Sequence, residues 1–87
     1  MKVVVAYDIS DDQRRNKVSQ LLSSYGYRYQ LSVFYIPNIT RTELSRLVSR
    51  LRKLINKHQD RVRVYIVDKL EWVEGYIYEP WESFRVF

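Results

Sequence analysis

Apolar and polar positions along this chain follow two periods, and each switch between them marks an element. Val3 to Tyr7 is an unbroken apolar run rich in β-branched residues, which predicts a buried central strand. Ser10 and Gln13 form a capping box, with Asp11 and Asp12 in the first helical turn. Val18, Leu21, Leu22 and Tyr25 then recur at helical spacing, and Gly26 supplies a stop. A helix over about Asp11 to Tyr25 follows. Tyr27 to Ile36 is dense in Tyr, Val, Phe and Ile and is extended until Pro37. Its length suits two short paired strands; no glycine marks the reversal, which is placed at Gln30-Leu31-Ser32.

Thr40 and Glu43 open a second helix with another capping box. Leu44, Leu47, Val48, Leu51, Leu54 and Ile55 make its apolar stripe, and it ends near Asn56 or Lys57. From Arg61 to Ile66 the period returns to two, so Val62, Val64 and Ile66 face the core of a half-buried strand. Beyond Trp72 the chain is again apolar, with Tyr76, Ile77, Tyr78, Trp81, Phe84, Val86 and Phe87, which predicts one more strand and an anchored end. The order strand, helix, strand pair, helix, strand predicts an α+β fold: a ferredoxin-like βαββαβ sandwich with an additional C-terminal strand. Residues 1–87 form one domain, with 69–87 a C-terminal extension.

A chain of 87 residues buries only roughly 60–65% of the surface its unfolded form exposes, so a second subunit would help stabilise it. No segment approaches the ~18–20 apolar residues that span a bilayer, and the N-terminus is a strand, not a signal peptide. The absence of cysteine excludes a disulfide framework, a thiolate zinc site and a cysteine nucleophile, which fits a cytoplasmic protein. A net charge of +5 favours a polyanionic partner.

Asp8 is delivered to the polar end of an apolar strand, where it either binds a hard cation or caps the turn into the helix. Asp11 and Asp12 are further ligand candidates with a sufficient structural reason in the helix dipole. Arg14, Arg15 and Lys17 lie within about one turn of the first helix, with Arg28 following it. They either contact successive phosphates or pair with Asp11 and Asp12. The cations of the second helix, Arg41, Arg46, Arg50, Arg52, Lys53 and Lys57, form a broader positive surface. Phe34 packs in the core or stacks on a base. The lone His58 joins no catalytic or zinc pattern. The glycines, Gly26 and Gly75, make no phosphate-cradling loop, and the Gly-aromatic signature of RNA-recognition motifs is missing.

With Val4-Val-Ala-Tyr-Asp8-Ile-Ser-Asp-Asp12, Arg14-Arg-Asn-Lys-Val18 and Tyr29-Gln-Leu-Ser-Val-Phe34, the chain resembles the CRISPR-associated protein 2 family over roughly Met1 to Ile66. The resemblance implies a ferredoxin-like homodimer whose C-terminal strand joins the partner's sheet. Two copies of Asp8 would face each other and share Mg²⁺ (or Mn²⁺). Carried over by position, Asp8 is the catalytic metal ligand. Arg15 and Lys17 are the basic helix positions, Arg28 the basic residue before the central strand, and Phe34 the aromatic of the Ser-Val-Phe piece. Where Lys17 stands the family often has Arg, so charge survives and a bidentate contact does not.

Two functions follow from the resemblance. One is Mg-dependent endonuclease activity, on single-stranded RNA or on duplex DNA. The other is the non-catalytic centre of spacer acquisition, where a dimer bridges the CRISPR-associated integrase and supports a DNA duplex. One or two carboxylates with no general base make a weak nuclease site, which favours the second. The alternative from fold alone is a non-catalytic nucleic-acid-binding or regulatory module unrelated to CRISPR.

Overall fold

A computed structural model describes residues 1–67. The additional strand and the extension at 69–87 lie outside the described residues. The order is β1 (Lys2–Asp8), α1 (Asp12–Ser23), β2 (Tyr27–Gln30), β3 (Val33–Ile36), α2 (Arg41–Leu54) and β4 (Arg61–Val67). The strands form one antiparallel sheet in the order β2-β3-β1-β4. This is the expected ferredoxin-like α+β arrangement, with β1 central.

The period of two sorts β1 into two faces. Val3, Val5 and Tyr7 are buried and join Phe34 and Ile36 of β3 in a core closed by Val18 and Leu22 of α1 and Leu47 and Leu51 of α2. Both helices therefore cover the same face. On the other face one row crosses all four strands: Tyr65 beside Val4, Val4 beside Tyr35, and Tyr35 beside Tyr27. The Tyr27 and Tyr35 rings meet edge to face, 5.7 Å apart. Of that row, Tyr27 and Tyr65 remain 52% and 46% exposed, an apolar cost that only a cover would remove.

Several boundaries differ from the sequence expectation. Ile9 is buried in the core and leaves Ser10 on the turn, so Asp11, not Ser10, caps α1 and accepts the Arg14 N–H at 2.9 Å. Gly26 does more than end the helix. A β-carbon there would lie 2.2 Å from the Tyr35 carbonyl oxygen, because the chain leaves α1 directly over β3. The hairpin reverses at Leu31 and Ser32, within the predicted segment, and Ser32 takes the left-handed conformation (φ 65°) that glycine would fill more easily.

The Thr40–Glu43 capping box forms as expected, and its hydrogen bonds hold the Glu43 carboxyl below its ordinary pKa. α2 stops at Leu54, short of Asn56, because the Asn56 N–H donates to Asp60 Oδ2 at 2.8 Å instead of continuing the helix. Val62 and Val64 pack on the core, but Ile66 is 58% exposed. Alternation assigns Ile66 a face correctly; it cannot say how far the helices extend over that face.

Candidate nucleic-acid interface and metal-binding carboxylate

β1 ends at Asp8 with its carboxylate exposed. The other carboxylates among the described residues are committed. Asp11 caps α1, Asp12 pairs with Arg15, Glu43 closes the second capping box and Asp60 is buried against Arg14. No hydrogen bond or ion pair from a described residue engages the Asp8 side chain, so the turn-capping role falls to Asp11.

The basic candidates separate by what they touch. The Arg14 Nε donates to Asp60 Oδ2 at 2.8 Å, and its Nη2 donates to Asp60 Oδ1 at 3.2 Å and to Gln59 Oε1 at 3.1 Å. The Asp60 side chain is fully buried, so its charge requires a counter-ion, and Arg14 supplies it. The Arg14 guanidinium thus braces α1 against the α2–β4 loop, a role the phosphate-contact expectation did not include. The hydrogen bond to Asp60 raises the Arg14 pKa. The same bond, with help from the Asn56 N–H and against the effect of burial, lowers that of Asp60.

Arg15 donates to the carbonyls of Ile9 (3.0 Å) and Ser10 (3.3 Å) and pairs with Asp12, fixing the loop that follows Asp8. Arg28 donates to Ser19 Oγ at 2.7 Å and lies over the Phe34 ring at 5.5 Å, yet stays exposed. Lys17 is exposed on α1 with no described partner. Phe34 is 1% exposed and stacks against Tyr7, so core packing, not base stacking, is its role.

On α2, Arg41, Arg46, Arg50, Arg52 and Lys53 are all exposed, and Arg41, Arg52 and Lys53 edge a shallow groove of about 540 Å³. The pattern missed one neighbour of Asp8. Arg61, the first residue of β4, is its partner in the β1–β4 ladder, and only the strand register brings the two together.

The fit to a hard cation is partial in one chain. Among the described residues no group of three or more His, Cys, Asp or Glu side chains converges. Asp8 alone offers two oxygens; a second chain would double them, and water would complete the oxygen shell that Mg²⁺ or Mn²⁺ prefers. No helix among the described residues is long and apolar enough to cross a membrane.

The family model described as CRISPR associated protein Cas2 matches residues 1–74. The CRISPR-associated endoribonuclease Cas2 4 of Rhodospirillum rubrum is 38% identical over 89 residues, covering 92% of this chain and 71% of that protein. The crystal structure of hypothetical protein TT1823 from Thermus thermophilus superposes with a TM-score of 0.79 at 44% identity, over 86% of this chain and 90% of that one. A chain of a partial Cas6-RT-Cas1–Cas2 complex superposes with a TM-score of 0.68 at 30% identity, over 79% of this chain and 76% of its own. These matches set aside a module unrelated to CRISPR: the chain belongs to the CRISPR associated protein Cas2 family.

Proposed function

We propose that this protein acts as a homodimer that holds nucleic acid on its basic surface and bridges the CRISPR-associated integrase during spacer acquisition. In this reading the two Asp8 carboxylates share Mg²⁺ or Mn²⁺ and give the dimer a weak, metal-dependent phosphodiesterase activity. The observation that carries it is the uncommitted Asp8 at a strand end, when the other described carboxylates serve the fold. The likeness to a chain from a Cas1–Cas2 complex supports an integrase partner, and the relative named as an endoribonuclease supports phosphodiester chemistry.

A dimer answers two needs of the single chain. The helix-free face carries the exposed row of Tyr27 and Tyr65, with Val4 half-buried between them. Apposing two such faces about a two-fold axis would cover that row and set like residues across the axis. Asp8 stands at the end of this face, where two copies would meet at the rim. The bound cation would supply charge neutralisation on a phosphate oxygen and a more acidic bound water. The chain itself supplies the carboxylates that hold the cation and Arg15, which fixes the loop after Asp8. Lys17 and Arg28 supply positive charge for the phosphate backbone. Among the described residues no cluster of three or more His, Cys, Asp or Glu side chains forms around Asp8, which favours the scaffold over the nuclease.

Asp8→Ala separates the two. Purified variant should lose Mg²⁺-dependent cleavage of RNA and DNA to background, while spacer acquisition in cells persists. Loss of acquisition in a variant that still dimerises and binds DNA would make the cleavage itself the biological role. Undiminished cleavage would remove Asp8 as the metal ligand.

A further inference from the structure

We propose that Arg61 is the second half of a phosphate clamp at the Asp8 site: its guanidinium takes the phosphodiester that the cation on Asp8 faces. The inference rests on the reading of Asp8 as the cation-holding carboxylate. Asp8 and Arg61 occupy one rung of the antiparallel β1–β4 ladder. Side chains directly opposed on one face start about 5 Å apart. Both residues are exposed, yet no ion pair joins them, and no other described residue engages either.

The main chain just before Arg61 is anchored. Asp60 is buried, bound by Arg14 on one side and by the Asn56 N–H on the other. Arg61 therefore leaves a fixed point, and its guanidinium is the mobile end of a well-placed side chain.

The chemistry suits a phosphodiester. A lone carboxylate repels a phosphate, and a divalent cation held by Asp8 would offset that repulsion. An arginine beside the carboxylate offers a planar fork to the oxygens that remain, a geometry lysine lacks. Asp8 is the last residue of β1 and Arg61 the first of β4, so the pair stands at the rim of the helix-free face. There a second copy laid over the tyrosine row would meet the pair at its edge, leaving the outer side of the rim for nucleic acid. Lys17, on α1, has no such coupling to Asp8 and would bind backbone charge wherever it lies.

Binding of a fluorescently labelled DNA duplex, followed by anisotropy across a salt series in Mg²⁺ and in EDTA, tests this. Arg61→Ala should weaken binding about tenfold and reduce the slope of log affinity against log salt by about one. In Mg²⁺ its effect should be non-additive with Asp8→Ala, and in EDTA the two should be independent. Lys17→Ala should be additive with Asp8→Ala in both buffers. Arg61→Lys should keep the slope and recover part of the affinity. Thermal melts establish that Arg61→Ala is folded, and Arg61→Gln gives a second charge-removing variant. Wild-type affinity and slope in Arg61→Ala, or additivity with Asp8→Ala in Mg²⁺, would overturn the clamp while leaving the proposed function standing. A wild-type protein that binds no duplex would remove the proposed function, and the clamp with it.

Discussion

Gly26→Ala is expected to lower Tm on the order of 15 °C, corresponding to roughly 3 kcal/mol in a domain of this size. The cause is steric. The added methyl would sit 2.2 Å from the Tyr35 carbonyl oxygen and 2.9 Å from the Ile36 Cα, and both are backbone atoms of a strand hydrogen-bonded on its two sides. No rotamer change relieves such a contact, so either α1 lifts from the sheet or β3 gives way. Leu22, Phe34 and Ile36 all lie in the core beneath that junction, so either movement opens it. A thermal melt by circular dichroism checks the value. A Tm within two or three degrees of wild type would mean that α1 does not leave across β3 as described.

The second large effect is expected at Asp60. Asp60→Asn keeps the shape and an acceptor for the Asn56 N–H but leaves the Arg14 guanidinium facing a neutral group. Removing the buried carboxylate's charge deprives the part-buried Arg14 of its counter-ion, so Tm at neutral pH should fall by about 10 °C. The pH dependence gives a sharper test. The Asp60 pKa is lowered in the folded state, chiefly by the Arg14 hydrogen bond. The unfolded chain therefore binds that proton first as pH falls. The stabilisation is complete above the unfolded value of about 4 and drains away below it, through the folded pKa. Wild type should lose stability in that acid window. Asp60→Asn, which lacks the contribution at every pH, should run flatter there, and the gap between the two should close with acidification. Parallel curves would mean that Arg14 and Asp60 do not form the ion pair.

These two residues also mark where the sequence was and was not legible. Strand and helix positions came from periodicity because burial on one face imposes it, and the Thr40–Glu43 box announced α2 by local chemistry alone. Gly26 was visible as a stop, but its close approach to β3 depends on where the chain crosses the sheet. Asp60 lies in the polar stretch Asn56–Asp60, which has the composition of a solvated loop; its burial appears only once Arg14 is brought to it from 46 residues away. For the same reason the bracing role of Arg14 was not legible in the sequence. Asp8 was legible from its place after an apolar run. Arg61 was not, because its proximity to Asp8 is a matter of register between the first and last described strands. Local patterns reveal elements and caps, whereas pairings across the chain wait for the fold.

A shared cation site requires two chains to bring their Asp8 residues together. The chain has no cysteine, so Asp8→Cys introduces a single thiol per subunit. Treated with a short bifunctional thiol reagent, this variant should give a covalent dimer on a denaturing gel, whereas Ser49→Cys on the outer side of α2 should not. Failure of Asp8→Cys to cross-link at concentrations where the protein sediments as a dimer would place the two carboxylates apart and contradict the shared cation site.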